Sequence, residues 1–405
     1  MALIARPAYL DWLARWRDRD VTKVLTGVRR CGKSTILAMF RALLTDQGVP
    51  PAAIISVNLE EPEAEAAYGS GLALYHHVKA LTEGLERAYV FIDEAQHLTE
   101  LERTVAGLAL LPGVDLYLTG SNSEFLSRDL ATRLTGRHVE IHVLPLSYRE
   151  WSQSGSPDDR DWARYRRHGG LPFVASLDDE PMIRQYVSSV VDTIVLRDVA
   201  PRQVQFSAGL FSHVLGFMAD NIGNPANVKR ISDTLTSKGK RVSRPAVDRY
   251  VDALQDCYLF YRAPRFDLKG KALLENTAKY YVVDPGVRWA LLGRSDADAG
   301  RLLENIVYLE LRRRHSDVFV GRLGTREIDF VAQTGDDRLY VQVSLRVDDP
   351  AVLERELAPL RAVRDHWPRL LLVDDDELPA TYDGIRRTSL RDWLLADSEP
   401  ALVRP

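Results

Sequence analysis

The chain is poor in cysteine and has no long apolar run. Only two of its 405 residues are cysteines, Cys31 and Cys257. So few cysteines exclude a disulfide framework and favour a reducing compartment, which predicts a cytoplasmic protein. No apolar stretch approaches the length that crosses a membrane, and charged residues interrupt the amino terminus. We therefore expect neither a membrane partner nor a cleaved signal.

An excess of basic residues is also lacking. Lysine and arginine number 53 against 57 aspartates and glutamates, which gives a formal net charge of -4. This balance excludes a uniformly basic surface, so contact with nucleic acid would need local basic patches. The hydrophobic fraction of 45% is typical of a globular protein. The length favours about two or three domains.

The segment GVRRCGKST, residues 27–35, has the pattern of a phosphate-binding loop. It matches G-x-x-x-x-G-K-[ST] and lies between an apolar strand-like run and a helix-like run, as that loop requires. Glycine lets the backbone curl so that its N–H groups face the phosphates. The predicted nucleotide-binding residues of this loop are Gly27, Val28, Arg29, Arg30, Cys31, Gly32, Lys33, Ser34 and Thr35.

Two side chains of the loop have specific chemistry. Lys33 is predicted to contact the β and γ phosphates, and the Ser34 hydroxyl to bind Mg²⁺. The alternative is a glycine-rich turn at a helix start. The roles of Arg29 and Arg30 stay open between a neighbouring subunit and the acids near Glu60.

A pair of carboxylates follows the next strongly apolar strand. The run AYVFIDEAQHL, residues 88–98, places Asp93 and Glu94 at the end of that strand. In P-loop ATPases this arrangement puts one carboxylate behind Mg²⁺ and the other against the attacking water. A helix-capping pair is the alternative. A later strand ends in TGSNS, where Ser121 or Asn122 would reach the γ-phosphate or the water, unless the segment is a plain turn.

Across the first 150 residues or so, short apolar strands alternate with helical segments. This alternation predicts an α/β fold with a parallel sheet and helices on both faces. Such sheets bind ligands at the carboxyl ends of their strands. The loop, the carboxylate pair and the TGSNS segment are all expected at that edge.

These segments resemble the bacterial and archaeal AAA-type ATPases whose P-loop domain precedes a C-terminal domain of unknown function. The resemblance implies an ATP hydrolase with ATP and Mg²⁺ as cofactors. It also implies self-association, for which a hexameric ring is the model. The segments that carry it are GVRRCGKST, FIDEAQ, LTGSNS, LTGR, LPLSYREW, GGLPFVA and TIVLRDV.

An arginine in LATRLTGRHVEI is a candidate for action across a subunit boundary. In an oligomeric ATPase, an arginine here would stabilise transition-state charge on the nucleotide of a neighbour. Arg133 and Arg137 are the candidates, and the resemblance favours Arg137. The alternative is an exposed helical face.

The sequence divides into four predicted regions. They are a P-loop ATPase domain (1–150), a helical lid (151–204), a winged helix-turn-helix (205–295) and a restriction-endonuclease-like α/β domain (296–405). Between residues 229 and 249, seven basic residues stand against two acidic ones, which supports contact with DNA phosphates. Asp248, Asp252 and Asp256 would repel DNA, and winged helices also bind proteins, so both kinds of partner stay open.

The last region resembles the restriction-endonuclease-like fold but lacks part of its chemistry. In active members, acidic residues on the first helix and second strand and a [DE]-x-Lys on the third strand gather Mg²⁺. Glu304 and Asp329 match the first two positions, whereas the third strand offers Gln342 and Ser344. We therefore expect an inactive or strongly altered nuclease domain with a degenerate site, retained as a DNA-binding or assembly element. Alternatively, the two carboxylates pair with arginines such as Arg326.

The sequence therefore predicts an AAA-type ATPase that couples Mg-ATP hydrolysis to DNA binding or remodelling. A nucleotide-dependent switch acting on a protein partner is the main alternative. An ATP-dependent nuclease is a lesser one, because Gln342 and Ser344 replace its third motif.

Overall fold

The structure is a computed structural model. Contacts divide the chain into two compact units. The first comprises Ala5–Val143, Asp256–Tyr258 and Pro405, and the second comprises Met1–Ile4, Leu144–Gln255 and Leu259–Arg404. Arg133 lies outside the residues that the structure describes. Those residues are 3–122, 136–153, 159–203, 206–240, 242–270, 272–293 and 298–396.

The first unit contains a five-stranded sheet in which all neighbours are parallel. This confirms the predicted α/β fold of the P-loop region. In space the strands follow the order β2-β3-β4-β1-β5. Their bounds are β1 Thr22–Thr26, β2 Ile54–Asn58, β3 Ala88–Asp93, β4 Val114–Gly120 and β5 His138–His142. The helices of this unit are α1 Pro7–Trp16, α2 Lys33–Asp46, α3 Pro62–Tyr68, α4 Leu72–Thr82 and α5 Leu101–Ala109.

The central strands of this sheet are buried on both faces. Val24, Val90 and Leu118 pack into one core, while Phe91 stacks on Tyr117 at a centroid distance of 4.7 Å. Burial on both faces explains why β3 is an apolar run without alternation up to its last residue, Asp93. The carboxyl ends of β1, β3 and β4 meet at one edge, which is where parallel sheets bind ligands.

The helices of the second unit include an amphipathic one, Glu180–Ile194. Asp179 caps it, and its buried residues recur at helical spacing: Ile183, Val187, Val190, Val191 and Ile194. No helix of the described ranges is both long and apolar enough to cross a membrane. The helices, in order, are α6 Tyr148–Ser152, α7 Asp159–His168, α8 Glu180–Ile194, α9 Ala208–Asp220, α10 Val228–Ser237, α11 Arg244–Asp256, α12 Pro285–Leu292, α13 Ala299–Arg314, α14 Pro350–Arg361 and α15 Leu390–Leu395.

An eight-stranded mixed sheet runs through the second unit. In space its strands follow the order β12-β13-β11-β10-β9-β8-β6-β7. Their bounds are β6 Phe260–Asp267, β7 Ala272–Val282, β8 Asp317–Leu323, β9 Arg326–Thr334, β10 Asp337–Ser344, β11 Arg369–Val373, β12 Ala380–Tyr382 and β13 Ile385–Ser389.

The hairpin of β6 and β7, which lies in the region predicted as a winged helix-turn-helix, belongs to this sheet. β6 pairs with β7 antiparallel and with β8 parallel, and α12 and α13 make the long crossover that a parallel pair needs. Helices α9, α10 and α11 precede the hairpin. The sequence did not indicate that the hairpin would extend the strands assigned to the nuclease-like region. The four-region division stays a prediction.

Candidate nucleotide-binding site

The loop between β1 and α2 turns around two glycines in left-handed or related conformations. Gly27 has φ 142° and Gly32 has φ 105°. A Cβ atom on Gly27 would lie 2.1 Å from the backbone oxygen of Val143, so a larger residue cannot fit there. Gly32 is followed directly by α2, whose first N–H groups lack intrahelical partners and lie at the positive end of the helix dipole. The loop therefore has the geometry of an anion site.

The Lys33 ammonium group lies under this loop. Its Nζ donates to the backbone oxygens of Gly27 and Val28 at 2.9 Å and 3.1 Å, and the residue is buried. Both acceptors are neutral carbonyls, so these hydrogen bonds do not neutralise the lysine. Ser34 and Thr35, in the first turn of α2, are exposed. This set of donors fits a phosphate chain.

Two contacts that the sequence did not reveal stabilise the loop and the end of the strand before it. Arg6 donates to the backbone oxygen of Cys31 at 3.2 Å, and the Thr26 hydroxyl donates to Glu140 at 2.6 Å. Burial raises the pKa of the Cys31 thiol, which keeps this loop residue protonated and inert. No sequence motif marks Arg6, because its partner is a backbone oxygen 25 residues away in the chain.

Asp93 and Glu94 lie at the carboxyl end of β3, and Thr119 of β4 joins them. The backbone N–H of Glu94 donates to the Thr119 hydroxyl oxygen at 2.9 Å, and that hydroxyl donates to Asp93. The strand register places Thr119 between β1 and β3. No motif identified Thr119, although it lies within the LTGSNS segment.

The Glu94 carboxylate is buried and held by several groups. Its backbone is left-handed, with φ 52°. The Gln96 amide donates to Glu94 and, at 3.0 Å, to the hydroxyl of buried Ser121. Burial raises the pKa of Glu94, but the charges of Lys33 and Arg29 lower it further, so the net pKa is below its ordinary value. Glu94 is therefore ionised at neutral pH.

Arg29 lies beside the same carboxylate. Its Nη1 is 3.8 Å from a carboxylate oxygen of Glu94 and 3.8 Å from one of Glu60. Arg29 therefore contacts an acid named in one of its two open explanations, and its role stays a prediction. Arg30 is exposed and has a positive φ of 64°.

Arg137 lies at the other edge of the sheet. It precedes β5, is exposed, and its backbone oxygen accepts from the N–H of Thr22 at 2.9 Å. Because β1 runs from Thr22 to the loop, Arg137 is separated from the loop by about 13 Å of strand. It does not join the nucleotide site of its own chain.

The residues suit a magnesium ion that is brought with a nucleotide. Within the described ranges, no cluster of three or more His, Cys, Asp or Glu residues could hold a metal ion. Mg²⁺ is usually bound by one or two protein groups together with phosphates and water. Ser34 and Asp93 are the residues of this site that match that requirement.

The nuclease-like positions form a separate group in the second unit. Glu304 accepts from Lys279 Nζ at 2.7 Å and from the Tyr281 hydroxyl at 2.6 Å. Lys279 is buried and also lies 2.9 Å from Glu327. Glu304 therefore pairs with a lysine of the hairpin. Arg326, the arginine named in the alternative, donates to the backbone oxygen of Ala358.

Asp329 and Gln342 are also tied into protein contacts. Asp329 accepts from the N–H of Val343 at 2.9 Å, and Gln342 donates to Glu356 at 3.0 Å. Ser344 donates to the backbone oxygen of Arg346. Burial and the nearby Glu304 charge raise the pKa of Asp329, while Lys279 lowers it less. A carboxyl group that resists ionisation is a poor metal ligand.

Comparison with known proteins covers both halves of the chain. Residues 19–152 match the AAA domain, which confirms that resemblance for the P-loop region, and residues 159–298 match a domain of unknown function, DUF8612. The chain is 35% identical over 400 residues to an uncharacterized protein of Haemophilus influenzae, covering 97% of this chain and 99% of that protein.

Two further proteins are similar over most of their length. Protein MJ1544 of Methanocaldococcus jannaschii, also uncharacterized, is 26% identical over 363 residues, which cover 85% of this chain and 79% of that protein. The structure of the Walker-type ATPase PABY2304 of Pyrococcus abyssi superposes with a TM-score of 0.50 at 18% identity. The superposition covers 71% of this chain and 96% of that one, and it shows a shared fold.

Proposed function

Because the chain belongs to the family of the Haemophilus influenzae protein and carries an AAA domain, we propose that it is an ATPase that binds ATP at residues 27–35 and hydrolyses it with Glu94. The observation that carries this proposal is the meeting of two groups at one edge of the sheet. Buried Lys33 follows the loop at the end of β1, and the ionised Glu94 carboxylate follows β3. The two strands belong to the same parallel sheet, with β4 between them.

The loop residues bind the substrate in this proposal. Lys33 contacts the β and γ phosphates, and the N–H groups around Gly32 surround them. Ser34 and Asp93 would hold Mg²⁺, which neutralises charge on the phosphates when it is bound. Thr119 fixes Asp93 through the hydroxyl that donates to its carboxylate.

Glu94 orients the attacking water and accepts its proton. An ionised carboxylate in a water-poor site is suited to this role, and positioned general bases contribute about 10²–10⁴-fold in rate. Gln96 holds the carboxylate and connects it to Ser121. Ser121 is thus an indirect support, reached through Gln96.

Arg137 acts on a neighbouring subunit in this proposal. Its position at the sheet edge opposite to the loop and its exposure support contact with another copy rather than action on its own nucleotide. The proposal therefore includes self-association, with a ring such as a hexamer as the arrangement that would place Arg137 beside each nucleotide.

DNA is the proposed partner of the second unit. The basic side chains of α10, α11 and the turns beside them are exposed, as phosphate contact requires. Exposed Asp248 and Asp252 on α11 favour the second candidate, a protein partner of a nucleotide-dependent switch. The exposed basic residues are Lys229, Arg230, Lys238, Lys240, Arg244, Arg249 and Lys269.

ATP turnover with and without DNA tests these proposals. We expect Mg-dependent turnover that rises several-fold with single-stranded, duplex or branched DNA and a DNA affinity that falls steeply with salt. Turnover that ignores every DNA, with a change of assembly on adding ATP, would favour the protein switch. Absence of ATP binding would overturn the ATPase proposal itself.

A further inference from the structure

The first arginine of the loop lies between the phosphate site and the hydrolytic carboxylate. Arg29 is buried, and its guanidinium is equally distant, at 3.8 Å, from one oxygen of Glu94 and one of Glu60. At this distance the interaction is mainly one of charge. The two acids differ in surroundings, since the Glu60 side chain is 40% exposed and that of Glu94 only 10%.

The loop therefore holds two cations near one buried anion. Lys33, held by the backbone oxygens of Gly27 and Val28, and Arg29 both act on Glu94 electrostatically. A triphosphate bound in the same loop carries several negative charges and competes with Glu94 for these cations. Competition between two anions for one cation is a coupling free energy between their sites, and it acts in both directions.

We propose that Arg29 is a positioning residue that couples the phosphate loop to Glu94: its guanidinium restrains the carboxylate until the phosphates of the substrate take over that charge. This inference rests on the proposed ATPase function. Glu94 is well placed for such restraint, because its left-handed backbone is fixed by Thr119 and its carboxylate by Gln96. When Arg29 moves toward the phosphates, its electrostatic restraint on the Glu94 carboxylate weakens, while the contacts of Glu94 with Thr119 and Gln96 stay in place.

Glu60 provides the matched comparison. It has the same charge as Glu94 and lies at the same distance from Arg29, but water reaches its side chain and screens the pair. Coupling through Arg29 should therefore be stronger for Glu94 than for Glu60. Arg30 supplies a second comparison, since it is an exposed arginine in the same loop.

The test is a double-mutant cycle on nucleotide affinity, measured by calorimetric titration with a non-hydrolysable ATP analogue and Mg²⁺. The four proteins are the wild type, Arg29→Gln, Glu94→Gln and the double variant. Glu94→Gln removes the competing anion and should tighten binding in the wild-type background. In the Arg29→Gln background this tightening should be smaller by at least about twofold.

Three further cycles separate charge coupling from disruption of the loop. Arg29→Lys keeps the charge and should retain most of the coupling to Glu94. The cycles Arg29→Gln with Glu60→Gln, and Arg30→Gln with Glu94→Gln, should be closer to additive. Thermal unfolding without nucleotide checks that each variant is folded.

The outcomes distinguish the two proposals. If the wild type binds the analogue and Glu94→Gln tightens binding equally with and without Arg29, the coupling role is wrong while the ATPase proposal stands. If Arg29→Lys behaves like Arg29→Gln, charge is not the cause and the coupling role is again wrong. If the folded wild type does not bind the analogue, the ATPase proposal itself fails.

Discussion

Two groups of lysine and carboxylate residues in this protein resemble each other in composition and differ in charge balance. In the first unit, Lys33 donates to neutral carbonyls, and Glu94 stays ionised nearby. In the second, Lys279 binds Glu304 directly and lies beside Glu327. The first group keeps charge available for a ligand, whereas the second satisfies its own charges. Both lysines lie beside carboxylates, but their hydrogen-bond partners differ in charge. These partners therefore decide whether the charge of a lysine is available to an anion.

Replacing the lysine of the closed group should have the largest effect on stability. Lys279→Met leaves Glu304 and Glu327 without their shared cation, and breaking a buried pair costs about 3–5 kcal/mol. Denaturant unfolding of the full chain measures this loss. Lys269→Met, in the exposed turn of the same hairpin, is the control and should change stability by no more than about 0.5 kcal/mol. Equal losses in the two variants would show that the pairing around Lys279 does not stabilise the fold.

The lysine of the open group should instead affect binding. Lys33→Met removes a charged donor to the phosphates, and such hydrogen bonds contribute about 1.5–3 kcal/mol, or about 10- to 150-fold in affinity. Its effect on unfolding should be well below that of Lys279→Met, because its partners are neutral carbonyls. Calorimetric titration with the ATP analogue and denaturant unfolding test both halves. If Lys33→Met lost much stability and kept its affinity for the analogue, the proposed difference between Lys33 and Lys279 would be wrong.

The smallest effect concerns the indirect support of Glu94. Ser121→Ala removes the hydroxyl that accepts from Gln96 at 3.0 Å and should leave Gln96 bound to Glu94 alone. A neutral hydrogen bond contributes about 0.5–1.5 kcal/mol, which corresponds to about two- to twelvefold in turnover. Steady-state ATPase assays measure it. A loss as large as that of Glu94→Gln would mean that Ser121 contacts the substrate directly.

Local patterns predicted much of the first unit. The loop and the Asp93–Glu94 pair were identifiable because strand, turn and helix follow one another directly in the sequence. The buried face of α8 has the same local character, because its apolar residues recur at helical spacing.

Contacts between distant segments were not predictable from such patterns. Arg6 reaches Cys31 through a backbone oxygen, and Thr119 belongs to a strand that only the sheet register places beside Asp93. Lys279 was missed because the pairing of β6 with β8 brings the hairpin into the nuclease-like sheet. Neither the spacing nor the composition of the hairpin contains that information.

The central claim is that Glu94 performs ATP hydrolysis at the open site. The most direct test compares Mg-dependent ATP turnover of the wild type and Glu94→Gln, with binding of the ATP analogue measured on the same preparations. We predict that Glu94→Gln lowers turnover by about 10²–10⁴-fold while the analogue still binds. Full turnover by Glu94→Gln would contradict the account.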